Sequence, residues 1–141
     1  MALTVTGDQV EAVLRERLPE DGFTLQNVPR RRGEMGADIL ADRDGVLTAV
    51  ECIGFQENPP LRSKQFYEAF FRAISRLGQG AHRCVMALPK RFGRGMEQRA
   101  RQYGEAWARI GKAFPELEIW LVDINNLSYE RRRWNDWPVP S

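Results

Sequence analysis

The sequence predicts an α/β protein with a mixed central sheet flanked by helices. Apolar residues at helical spacing open the chain and return after residues 60 and 93, short alternating or continuous apolar runs lie between them, and the two kinds of segment succeed one another as α-β-β-β-α-β-α-β. A meander followed by a strand-helix-strand crossover requires a sheet with both antiparallel and parallel neighbours.

Each element has its own signal. Val10, Val13, Leu14 and Leu18 predict a first helix over about residues 8 to 18, with Gly7-Asp8 as its cap and Pro19 and Gly22 at its end. Phe23 to Val28 reads as a strand, and Pro29 to Gly36 as a basic loop. Ala37 to Asp42 and Val46 to Gly54 alternate around Asp44-Gly45, a dipeptide suited to the tight turn of an antiparallel hairpin. From Leu61 the period changes, and Phe66, Phe70, Ile74 and Leu77 form one face of a helix that stops at Gly78 and Gly80. Arg83 to Leu88 is a continuous apolar strand closed by Pro89. Met96, Ala100, Tyr103, Trp107, Ile110 and Phe114 make one stripe of a third helix, and Glu118 to Val122 is a last strand. Residues 1 to 123 are expected to form one domain and residues 124 to 141 an irregular C-terminal tail, whose Trp134 and Trp137 pack back on it while the arginines stay in water.

Composition narrows the chemistry. With 141 residues, 43% apolar and 28% charged, the chain has the size and balance of one globular domain. No apolar run reaches the roughly 18 residues of a membrane span, and the first 22 residues carry acids where a secretory signal carries bases, so a cytoplasmic protein away from membranes is expected. Cys52 and Cys84 lie in apolar strands and read as buried free thiols; with a single histidine, His82, and no CxxC, a zinc site is disfavoured. Positive charge is clustered: Lys90 to Lys112 holds seven bases against two glutamates, and Arg30 to Arg32 and Arg131 to Arg133 are triplets. Such clusters suit phosphate contacts, although a plain preference for arginine explains any one of them equally well.

The hairpin carries the sharpest signal. Asp38 and Glu51 lie about six residues on either side of the Asp44-Gly45 turn, which sets them nearly opposite each other on paired strands. Two carboxylates that close repel unless a proton or cation lies between them, and a divalent metal with oxygen ligands is one occupant. The alternative is structural, with Asp38 capping the turn and Glu51 paired with an arginine such as Arg31 or Arg72.

The succession Gly36-x-Asp38-Ile39, hairpin, Val50-Glu51-Cys52-Ile53-Gly54, loop, a helix opening Gln65-Phe-Tyr-Glu-Ala-Phe, and then Cys84-Val-Met-Ala-Leu-Pro89 resembles the PD-(D/E)XK nuclease superfamily, the restriction-endonuclease-like fold. The resemblance spans roughly residues 8 to 122 and includes the αβββαβ order of that core. It implies that Asp38, Glu51 and the backbone carbonyl of Cys52 bind magnesium, and that Gln65 lies close to the site. It further implies a nucleic-acid substrate, with DNA favoured, and makes a homodimer a natural assembly.

One position departs from the pattern: the lysine that orients the attacking water is Ile53, which carries no charge. Lys64, beside Gln65, is the best replacement, with pairing to Glu68 one turn on as its structural alternative; Arg62 is a poorer one because a guanidinium stays protonated. Two functions stay open: magnesium-dependent phosphodiester hydrolysis carried by Asp38, Glu51, Lys64 and Gln65, and a nuclease-fold module without catalysis that binds nucleic acid or a protein partner.

Overall fold

The computed structural model of the protein describes residues 4–26 and 37–137. The Arg30 to Arg32 triplet, the whole of the basic loop and the end of the first predicted strand lie outside the described residues. Within them the element order is α1 (Gly7–Glu20), β1 (Thr24–Leu25), β2 (Ile39–Arg43), β3 (Val46–Cys52), α2 (Pro59–Ser75), β4 (Arg83–Pro89), α3 (Gly93–Ala113), β5 (Leu117–Asp123) and β6 (Ser128–Arg133). Single 3-10 turns follow α2 at Arg76–Gln79 and precede α3 at Lys90–Phe92. No helix among these residues is long and apolar enough to cross a membrane.

All six strands join one open sheet in sequence order. β1, β2 and β3 pair antiparallel, β3, β4 and β5 pair parallel, and β6 returns antiparallel to β5. The turn between β2 and β3 is the one its sequence dictates: Asp44 and Gly45 both have positive φ, 53° and 78°, the two-residue geometry that matches the twist of a hairpin. This fixes the register from Arg43↔Val46 to Ile39↔Val50.

Alternation along the strands divides the core into two layers. Val85 and Ala87 of β4 face α1, together with Val10, Leu14, Leu18, Ile39, Val50 and Trp120. Cys84, Met86 and Leu88 of the same strand face α2 and α3, together with Phe66, Phe70, Met96, Trp107 and Ile119. A strand covered on both faces reads as a continuous apolar run, as β4 does.

Three local expectations are corrected. The cap of α1 is Thr6, not Gly7-Asp8: its hydroxyl accepts from the Gln9 N–H at 3.2 Å, and the Gln9 side chain accepts from the Thr6 N–H at 2.9 Å, a closed capping box. The third helix is interrupted at Gly104 (φ 47°, ψ −112°), where no neighbour would obstruct a Cβ and the constraint is the backbone conformation itself. With the helical phase broken there, Trp107 is buried but Tyr103, expected on the same stripe, is 45% exposed. The supposed irregular tail contains β6, which pairs with β5 over six residues from Asp123↔Ser128 to Glu118↔Arg133. As expected, Trp134 and Trp137 are buried.

Candidate functional site

The two carboxylates of the hairpin meet at the carboxyl end of β3. Asp38 precedes the last β2–β3 register pair, its N–H donating to the Val50 carbonyl at 3.0 Å. Its Oδ2 accepts the Cys52 N–H at 2.7 Å, so the side chain takes the place of a ladder hydrogen bond. Arg15 of α1 donates to the Asp38 carbonyl at 2.8 Å and is itself held by Glu11 at 2.8 Å.

Glu51 is 3% exposed, and its counter-ion is Arg76, a residue the sequence reading did not single out. The Arg76 Nε lies 2.7 Å from Glu51 Oε1, with both side chains buried, and its Nη1 donates to Gln79 Oε1 at 2.9 Å. Arg72, the partner the sequence did suggest, stands farther off, 3.9 Å from Glu51 Oε2 and half exposed. Arg31 lies outside the described residues. A signal for Arg76 existed: Phe66, Ala69, Phe70 and Ala73 are the buried stripe of α2, and position 76 continues it at helical spacing into the 3-10 turn. A cation on a buried stripe needs a buried anion.

Burial raises the pKa of Glu51 above its ordinary 4.5; the Arg76 hydrogen bond and charge oppose this, and the Asp38 charge adds to it. Across a window that starts near 4.5, folded protein therefore keeps a proton that the unfolded chain has lost. The contribution is complete below the window and is lost as pH rises through it. Unfolding free energy of wild type relative to Glu51→Gln, measured in urea, should accordingly fall with rising pH above 4.5. A difference that grows with pH would mean that Arg76, not burial, governs the group.

The remaining positions of the expected site are placed as follows. Ile53 is buried among Phe66 and Phe70, with its N–H donating to the Ala87 carbonyl at 3.1 Å. Lys64 points outward, 71% exposed, its Nζ 4.0 Å from Glu68, the pairing weighed as the structural alternative. Gln65 is half-buried on α2. The Cys52 carbonyl faces the start of α1, where a Cβ at Gly7 would come within 3.0 Å of its oxygen. That approach follows from a bridge between Val5 and Phe55 and from Gly54, where a Cβ would lie 2.2 Å from the Val5 carbonyl. The Cys52 thiol is pushed well up by burial first, then by the charges of Asp38, Glu11 and Glu51. It stays a protonated thiol at neutral pH and makes a poor nucleophile.

Asp38 and Glu51 are therefore brought together, with the Cys52 N–H bonded to Asp38, while Lys64 points outward to Glu68. Glu51 Oε1 is taken by a buried guanidinium and Asp38 Oδ2 by a backbone N–H, so a magnesium ion would find one oxygen of each carboxylate already engaged. No cluster of three or more His, Cys, Asp or Glu side chains placed to hold a metal occurs among the described residues.

A second polar feature lies between α2 and α3, where Arg62, Arg91, Arg94 and Arg99 line a cleft of about 410 Å³ floored by Phe55 and Phe92. Sequence reasoning noted the basic character of residues 90 to 112 but could not place Arg62 beside them, since the two stretches meet only when α2 and α3 pack on the same face of the sheet. No protein-family model, curated protein or solved structure matches this chain.

Proposed function

We propose that the chain is a non-cleaving module of the restriction-endonuclease-like fold that binds nucleic acid, with DNA favoured. The order α1-β1-β2-β3-α2-β4 agrees with the αβββαβ core of that fold. The observation that carries the reading is the Arg76 guanidinium 2.7 Å from Glu51 with both partners buried. A divalent cation at that oxygen would have to displace a group that cannot shed its charge, and would leave it buried without a counter-ion. Ile53 adds an apolar side chain where hydrolysis needs a positive one. The basic residues of α3 supply phosphate contacts, whereas Arg131 and Arg132 of β6 are already paired with Glu118 and Glu130.

The second reading, a magnesium-dependent endonuclease, draws its support from one observation: Asp38 and Glu51 lie close enough for the Asp38 charge to raise the Glu51 pKa. Incubating labelled duplex and single-stranded DNA with the protein and magnesium or manganese separates the two. The expected result is intact DNA, bound with an affinity that falls steeply as salt is added, because each neutralised phosphate releases counterions. Metal-dependent cleavage that disappears in Asp38→Asn would establish the endonuclease instead; asparagine can still accept the Cys52 N–H, so the strand end is preserved. Absence of any nucleic-acid binding would overturn both readings.

A further inference from the structure

The cleft between α2 and α3 has an uneven charge balance. Four guanidinium groups line it, from Arg62, Arg91, Arg94 and Arg99, and the carboxylate paired with one of them is Glu57, 3.1 Å from Arg91. Three of the arginines are held in place by aromatic rings. Arg62 and Arg91 lie over the Phe55 ring, at 4.3 Å and 4.0 Å from its centroid, and Arg99 lies 4.8 Å over Phe66 while donating to the Ser63 hydroxyl at 3.2 Å. Each of these guanidinium groups has more N–H donors than the one it spends here, Arg62 on the Gln56 carbonyl at 2.8 Å, Arg91 on Glu57 and Arg99 on Ser63, and a fixed fork loses little entropy when it binds an oxyanion. Arg94 stands exposed at the rim, and the half-exposed Tyr103 forms part of the wall. This arrangement is an anion receptor with an aromatic border.

The magnitude of the charge selects the anion. Four arginines against one carboxylate leave three positive charges in excess. An internal phosphodiester brings one negative charge, whereas a phosphomonoester carries about −1.5 to −2 at pH 7 and offers three acceptor oxygens. A terminal phosphate followed by the first phosphodiester of a strand matches the excess, and the terminal base can stack on Tyr103. The volume of about 410 Å³ is that of a site for one small ligand unit, not for a duplex.

We infer that this cleft binds the phosphorylated end of a nucleic-acid strand, with the phosphomonoester held among Arg62, Arg91, Arg94 and Arg99. The inference rests on the nucleic-acid reading and adds to it the part of the substrate recognised. It is tested by fluorescence anisotropy with one short single-stranded oligonucleotide in three forms: phosphorylated at its 5′ end, phosphorylated at its 3′ end, and bearing hydroxyls at both. One phosphorylated form is expected to bind about tenfold more tightly than the hydroxyl form. Arg62→Ala/Arg94→Ala should erase that preference, so that the variant binds all three forms with equal affinity. Both side chains lie at the cleft surface, and an unchanged melting temperature would verify folding.

Equal binding of all three forms, or a preference that survives the double substitution, overturns the cleft proposal and leaves nucleic-acid binding standing. If wild type binds none of them, the nucleic-acid reading fails by itself, and calorimetry with a nucleoside monophosphate then decides the cleft. Binding of the mononucleotide that the double substitution removes keeps the cleft as a phosphomonoester site; no binding overturns it as well.

Discussion

Glu51→Ala is expected to lower the unfolding free energy by about 3–5 kcal/mol, because it strands a buried guanidinium. For a chain of 141 residues this corresponds to a fall in melting temperature of roughly 10–20 °C. Arg76→Ala should cost less. The carboxylate it leaves behind can take up a proton, which burial already favours, and the half-exposed Arg72 stands 3.9 Å away; Arg76 has no such escape when Glu51 is removed. Glu51→Leu/Arg76→Met should recover most of the loss or exceed wild type, since apolar side chains of similar volume need no mutual compensation for lost hydration. Urea unfolding of the three variants at pH 7 checks the set. If Glu51→Ala unfolds within about 1 kcal/mol of wild type, the ion pair is not a structural clamp. The carboxylate would then be open to a metal, and the main structural obstacle to cleavage would be gone.

The same pair shows where sequence reasoning stops. The hairpin was legible because Asp44-Gly45 codes for a turn through backbone conformation alone, and its register then places Asp38 and Glu51 together whatever surrounds them. What neutralises the two acids was not legible, because the answer comes from a residue 25 positions after Glu51 that reaches it only when α2 packs on the sheet. Arginine at the end of an amphipathic helix reads as solvated, and only the continuation of the buried stripe marks Arg76 as different.

Strand β6 was missed for a related reason. Its inward positions include Tyr129, whose ring lies 5.2 Å from that of Trp120, and Arg131, whose guanidinium meets the buried Glu118 at 3.1 Å. An arginine serves as a core-facing residue where a buried carboxylate receives it, and Glu118 also binds Arg83 and the Trp120 N–H. The strand shows no regular alternation of burial and no apolar pattern, so Ser128–Arg133 looks like a polar tail. In both cases what hid the structure is a salt bridge from an arginine to a buried carboxylate, which no apolar pattern records.

The tail is closed by a second interaction of this kind, and its removal should be nearly as costly. Trp134 stacks on Trp107 with ring centroids 3.9 Å apart and planes within 17°, and each indole donates to the backbone carbonyl of the other, at 2.9 Å and 2.8 Å. Two buried indoles that satisfy one another reciprocally tie β6 to the half of α3 beyond Gly104. Trp134→Ala removes the ring, opens a cavity beside Phe66 and Phe70, and leaves the Trp107 carbonyl without its indole donor, while the backbone carbonyl at 134 that receives the Trp107 N–H stays in place. The expected cost is about 3–5 kcal/mol. Trp134→Phe separates the two components: it keeps much of the packing but removes one donor, so it should lose about 1–3 kcal/mol. Thermal or urea unfolding of both variants, read by far-UV circular dichroism so that the lost tryptophan does not bias the signal, tests this ordering. If Trp134→Ala costs no more than Trp134→Phe, the stabilisation resides in the hydrogen bond and not in the stack. If neither variant differs from wild type, β6 and its tryptophans are not integral to the fold, and the domain ends near residue 123 as its sequence suggests.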